Sequence, residues 1–152
     1  MNTLPIPSLA YIAGFFDGEG TIAPAFTKRC AYAQTSLVQL RRNAEVLYYC
    51  QSRWGGKIWE DPKRPQTRWY IAGPRMAVFL RDVGPWLRQK RLQAVLARTM
   101  QAMIHGRGIS HPVPEGELWL RQRLARAISN LNHGRSWDWE RGPRDDERFI
   151  RP

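Results

Sequence analysis

The apolar positions change period several times along the chain, and each change predicts an element. Ser8 follows Pro7 and precedes the uncharged run Leu-Ala-Tyr-Ile-Ala-Gly-Phe-Phe at 9–16. A hydroxyl residue there reads as an N-cap opening a short helix, expected to stop at Asp17 and Gly18. A helix apolar all round has to be buried all round, by its own chain or by another. Period two then takes over at 21–28 and 32–40, which reads as two strands. Helical spacing returns over 43–54, where Val46, Leu47, Cys50 and Trp54 share a face, and Gly55 and Gly56 end it. A second pair of strands is expected at 57–60 and 67–72. The polar connection Asp61-Pro-Lys-Arg-Pro-Gln66 between them reads as a hairpin with a basic tip. Further helices are expected at 75–83, 85–104 and 115–132, divided by Gly84-Pro85 and by a loop at 105–114. The order αββαββα followed by more helices is that of an α+β fold.

Length and composition narrow the class. A chain of 152 residues and 17.7 kDa suits one domain, taken as 1–136, with a partly mobile tail at 137–152 that mixes charge with Trp137, Trp139 and Phe149. The stretch Met1 to Phe16 is interrupted by Pro5, Pro7 and Ser8 and has no basic leader. That predicts neither a membrane span nor a signal peptide, and a cytoplasmic location. Cys30 and Cys50 lack metal-ligand spacing and suit a reducing compartment.

Charge changes the picture more. Lys plus Arg number 24 against 13 acids, a net +11, and 20 of the 24 are Arg. Between 62 and 114 ten bases face one acid, Asp82. Guanidinium forks match phosphate oxygens and guanine edges, so nucleic acid is the partner this excess points to. The plain alternative is a merely soluble basic protein.

The candidate chemistry lies at the end of the first helix, in Ile-Ala-Gly-Phe-Phe-Asp-Gly-Glu-Gly at 12–20. Ala13 and Gly14 remove bulk so that a second helix can approach closely. Gly18 and Gly20 flank Glu19 with residues that accept positive φ, which would let the chain turn sharply and present the carboxylate. One copy of the box implies a partner helix from a second chain, pairing two glutamates at a two-fold axis. Paired carboxylates repel unless a hard cation such as Mg²⁺ lies between them. A radius of gyration of about 15 Å gives each protomer about 11 base pairs of reach, and a dimer twice that.

This box closely resembles the LAGLIDADG motif, and the chain from Ile6 to about Ser136 resembles a single-motif LAGLIDADG homing endonuclease. The resemblance implies a homodimer whose curved antiparallel sheets form a saddle in the DNA major groove. The motif helices would meet through Leu9, Ile12, Ala13, Gly14 and Phe16. It implies metal binding at Glu19 and Gly18, with Glu where the family usually has Asp, and with Mn²⁺ able to replace Mg²⁺ and Ca²⁺ binding without cleavage. Gln39, at the end of the second strand, matches the family's solvent-ordering Gln. Lys90, in Pro-Trp-Leu-Arg-Gln-Lys-Arg, matches its lysine near the scissile phosphate, with Arg88 as a rival. A basic position of the family falls on Asn43, where Arg41 or Arg42 would substitute. Arg135 and Ser136 are expected phosphate contacts. The activity implied is double-strand cleavage of a long pseudo-palindromic site leaving short cohesive ends. The gene would be a mobile element, commonly inside an intron, and an organellar intron would place the protein in that organelle. The alternative is a maturase that binds its host intron RNA and assists splicing without cutting DNA.

Base readout is expected from one strand face. Alternation nominates Ala23, Ala25, Thr27 and Arg29, then Tyr32, Gln34 and Ser36, and around the second hairpin Lys63, Arg64, Gln66, Arg68 and Tyr70. A one-residue slip would turn Arg68 inward and Trp69 outward. His105 and His111, with no Cys or acid nearby, read as a surface loop rather than a zinc site. The seven tryptophans lie mostly in apolar patterns and read as core rather than as stacking platforms.

Overall fold

The computed structural model describes residues 6–27, 30–104 and 113–135. The nominated Arg29 and Ser136, the loop carrying His105 and His111, and the tail lie outside them. The elements run α1 (Leu9–Glu19), β1 (Gly20–Thr27), β2 (Cys30–Leu40), α2 (Glu45–Trp54), β3 (Lys57–Glu60), β4 (Gln66–Ala72), α3 (Gly73–Val83), α4 (Arg91–Ile104) and α5 (Glu115–Asn132). The expected αββαββα order with two further helices is present. The four strands form one antiparallel sheet in the order β1-β2-β4-β3. Each αββ half therefore supplies one inner and one edge strand.

Side-chain alternation separates the two faces of this sheet. Ile22 on β1, Ala31, Ala33, Thr35 and Leu37 on β2, and Thr67, Trp69 and Ile71 on β4 are buried under the helices. The rings of Phe16, Trp54 and Trp69 meet Phe79 edge-on at centroid distances of 5.1, 5.0 and 5.1 Å, tying α1, α2 and β4 to α3. The Trp69 indole N–H donates to the Gly55 carbonyl at 2.8 Å. Gly55 is the C-cap of α2, where its φ of +78° allows the reversal into β3. Ser8 caps α1 as expected, its hydroxyl accepting from the Tyr11 N–H at 3.2 Å.

Two expectations are corrected here. The helix expected at 85–104 is broken: a 3₁₀ turn at Gly84–Trp86 and a short non-helical segment precede α4 at Arg91. The tryptophans divide: among the five described, Trp54 and Trp69 are buried, but Trp59, Trp86 and Trp119 are about half exposed. Neighbouring apolar residues in sequence did not say which strand face or helix side each indole would take. No described helix is long and apolar enough to cross a membrane.

Candidate active site and nucleic-acid interface

The last turn of α1 is where the site is built. The helix does not stop at Asp17 and Gly18 as expected but continues through Glu19, which leaves Asp17 inside its last turn. Its carboxylate, 8% exposed, reaches across to a segment 71 to 73 residues later. Asp17 Oδ2 accepts the backbone N–H of Arg88 at 2.6 Å and of Gln89 at 3.3 Å, and Oδ1 accepts that of Lys90 at 3.0 Å. These bonds also explain the break before α4: the amides are turned toward the carboxylate instead of continuing a helix. The Lys90 Nζ in turn donates to the Asp17 carbonyl.

Gly20, which begins β1, is needed for a reason other than the expected one. Neither Gly18 nor Gly20 has positive φ, and Gly20 is extended at φ −82° and ψ 159°. A Cβ on Gly20 would lie 2.2 Å from Cδ2 of the Phe16 ring and 2.6 Å from the Phe16 carbonyl oxygen. Close approach, not left-handed backbone, excludes a side chain there.

The three residues assigned chemical roles come to one corner of the fold. Glu19 is exposed at the end of α1. Gly20 pairs with Leu37, so Glu19 emerges beside the end of β2, where half-buried Gln39 points to the helix-covered side opposite Thr67. Lys90 is tied to the same helix turn through Asp17. Asp17 itself was missed in the sequence, where Asp-Gly read as a helix stop; a carboxylate within an otherwise apolar helix was the available signal.

The two sides of α1 differ. Ile12, Ala13 and Phe16 are fully buried in their own core, so the expected dimer contact through these three is corrected, while Leu9 packs partly against the core and stays half-buried. The side that remains open carries Ala10, Tyr11, Gly14, Gly18 and Glu19, and a Cβ on Gly14 or Gly18 would meet nothing within 4 Å. Of the expected contact residues, Gly14 is exposed on it and Leu9 is half-buried.

The sheet face away from the helices carries the nominated readers in one consistent register. Ala23 and Ala25 pair with Gln34 and Tyr32, Ser36 with Tyr70, and Arg68 projects outward while Trp69 is buried. Thr27 holds the corresponding backbone position on β1. Lys57 and Trp59, opposite Tyr70 and Arg68, join this face and were missed, although alternation around Ile58 would have found them. Among the described residues the strands put no carboxylate on this face.

The hairpin between β3 and β4 presents Lys63 and Arg64, both exposed, over an Asp61 turn whose Oδ1 accepts their backbone N–H groups at 2.8 and 3.2 Å. Arg41 departs from its expected role as a free phosphate contact. Its Nη2 donates to the Asp61 carbonyl at 2.8 Å, its Nε lies 3.5 Å from a Glu60 carboxylate oxygen, and its backbone N–H donates to the Pro65 carbonyl at 2.8 Å. It braces the hairpin. Glu60 also accepts the Tyr48 hydroxyl at 2.8 Å, which raises the Tyr48 pKa above its ordinary value. Arg42, Arg88 and Arg135 are exposed. Burial pushes the Cys50 thiol up to about 12, so it is an inert core residue.

Among the described residues no three His, Cys, Asp or Glu side chains cluster as metal ligands. Among the residues described at this corner, Glu19 carries the exposed carboxylate, Asp17 being nearly buried. That donor set fits a hard cation only where further oxygens come from elsewhere, as Mg²⁺ commonly takes one or two carboxylates plus substrate phosphates and water.

The sequence matches no protein-family model and no curated protein. Solved structures do match. The homing endonuclease I-CvuI, in complex with the I-CreI target, superposes with a TM-score of 0.71 over 86% of this chain and 85% of its own, at 19% identity. The archaeal intron-encoded homing endonuclease I-Vdi141I, complexed with DNA, gives 0.68 over 88% and 90% at 20% identity. The LAGLIDADG meganuclease I-AabMI, bound to uncleaved DNA, gives 0.67 over 87% of this chain but 51% of its own, at 16% identity. The fold of this chain is therefore the LAGLIDADG homing endonuclease fold.

Proposed function

We propose that this protein is a homodimeric, divalent-metal-dependent endonuclease that cleaves double-stranded DNA at a long pseudo-palindromic site and leaves short cohesive ends. The observation that carries the reading is the last turn of α1, where exposed Glu19 follows the Asp17 that holds Lys90, with Gln39 two residues beyond the strand partner of Gly20, on a helix whose other side is open. The basic sheet face and hairpin add an anion-binding surface of the right sign. The DNA complexes of I-CvuI and I-Vdi141I support the partner class.

The open side of α1 supports the dimer. The small-residue side of α1 allows close helix approach, bringing two Glu19 carboxylates together.

Glu19 from each protomer, together with the backbone at Gly18, would hold the cation. A divalent cation bound there supplies Lewis-acid polarisation of the phosphodiester and an acidified water. I-CvuI has been solved on the I-CreI target with Mg, the DNA not cleaved, and on its own target with Ca, which supports a divalent ion at the DNA complex without choosing between the two. Lys90 stabilises charge on the phosphate oxygens as the P–O bond breaks, and Gln39 orients water by hydrogen bonding. The strand face reads bases in the major groove: Arg68 suits a guanine edge and Gln34 an adenine edge.

The test is Glu19→Gln on a duplex selected for binding from a randomised library, with Mg²⁺ added. Binding should persist within about threefold while cleavage falls by about 10³-fold or more, as for loss of a group that acts mainly in the transition state. Cleavage at the wild-type rate would remove Glu19 from the reaction.

A further inference from the structure

Asp17 is nearly buried two residues before Glu19 and takes no part in the reaction proposed for Glu19, Gln39 and Lys90. A buried carboxylate is costly unless hydrogen bonds replace its water. Here three consecutive backbone N–H groups, those of Arg88, Gln89 and Lys90, converge on its two oxygens at 2.6, 3.3 and 3.0 Å. Such a concave run of amides is a backbone anion nest, with the anion supplied by the chain itself. Lys90 is the last residue of the nest and is held twice by Asp17: its backbone N–H by the carboxylate, its Nζ by the carbonyl. A lysine ammonium on a four-carbon stem has many rotamers, and this double attachment selects among them.

We propose that Asp17 is the positioning residue for Lys90, fixing the lysine ammonium against the last turn of α1 so that Glu19 and Lys90 form one rigid unit. The proposal rests on the endonuclease reading of Glu19 and Lys90. Asp17 touches neither metal nor DNA in this assignment. Its carboxylate works through the 88–90 backbone, and its carbonyl receives the ammonium until a phosphate oxygen competes for it.

Two measurements test it. In the free protein, hydrogen exchange at the amides of Arg88, Gln89 and Lys90 should accelerate about tenfold or more in Asp17→Asn, while β2 and β4 amides stay as slow as in the wild type. Unchanged exchange at 88–90 overturns the nest. On the library-selected duplex with Mg²⁺, single-turnover cleavage is compared for wild type, Asp17→Asn, Lys90→Met and the double variant. Asp17→Asn should slow cleavage by about 10- to 100-fold with duplex binding within about twofold. On the Lys90→Met background it should cost less than about twofold more. Equal losses on both backgrounds, or a loss matched by weaker binding, show a merely structural residue and overturn the proposal. Asp17→Glu, which keeps the charge and displaces it by one methylene, serves if the Asn variant loses its cooperative melt, with the same slowed cleavage expected. A wild type that cuts no duplex sinks the endonuclease reading, while the exchange measurement still reports on the Asp17–Lys90 coupling.

Discussion

The two faces of the sheet are made by the same strands yet obey different rules. On one, Thr35, Leu37, Trp69 and Ile71 are buried beneath five helices and interlock with Phe79 and Phe16. On the other, Tyr32, Gln34, Ser36, Arg68 and Tyr70 stand between, with Lys57 and Trp59 beside them at the β3 edge. A close-packed face is constrained in volume at every position, whereas a solvent face is constrained only by what binds it. The fold can therefore stay fixed while the exposed face varies at little cost to packing.

The comparison can be broken on the buried side first. Trp69→Ala removes a fully buried indole, its bond to Gly55 and its contact with Phe79. It should cost about 3–5 kcal/mol in denaturant unfolding, and a loss under about 1 kcal/mol would mean the two faces are not distinct in stability.

A smaller effect comes from the glycines of α1, which repeat the contrast within one helix. Gly20→Ala drives a methyl into Phe16 and should destabilise the isolated chain by about 1–3 kcal/mol. Gly14→Ala meets nothing nearby and, in mid-helix, should be neutral or stabilising by up to about 1 kcal/mol in the monomer. If Gly14 is instead where two helices meet, the same variant should raise the dimer dissociation constant by sedimentation. No change in either quantity would mean that the open side of α1 is not the contact.

The smallest effect on stability belongs to the exposed sheet face. Arg68→Ala should leave the melting temperature within about 1–2 °C, as for a surface change. It should relax specificity at one base pair by about 1–3 kcal/mol in competition binding. Loss of stability without loss of discrimination would reverse the assignment of the two faces.

Much of this was legible along the chain. Alternation in Ala31 to Leu37 and in Thr67 to Ile71 set both strands and their outward partners, because period two leaves no choice once one face is apolar. The 115–132 helix and the Ser8 cap followed equally locally. The box at 12–20 pointed to Glu19, and the motif itself, not any periodicity, led to Gln39 and Lys90.

What the amino-acid order alone determined, then, was the succession of elements, the faces that β1, β2 and β4 turn outward, and the acid offered at the end of α1. Tertiary contact decided the rest. Only folding shows that Asp17 gathers three amides from 88–90 and so splits an expected helix in two, since its partners are more than 70 residues away. An apolar helix carries no periodic signal of which side its own core will take, so Ile12, Ala13 and Phe16 were indistinguishable from Gly14 until α3 and the sheet covered one side. Gly20, likewise, is excluded from carrying a side chain by the Phe16 ring, a steric fact that exists only once the turn has closed.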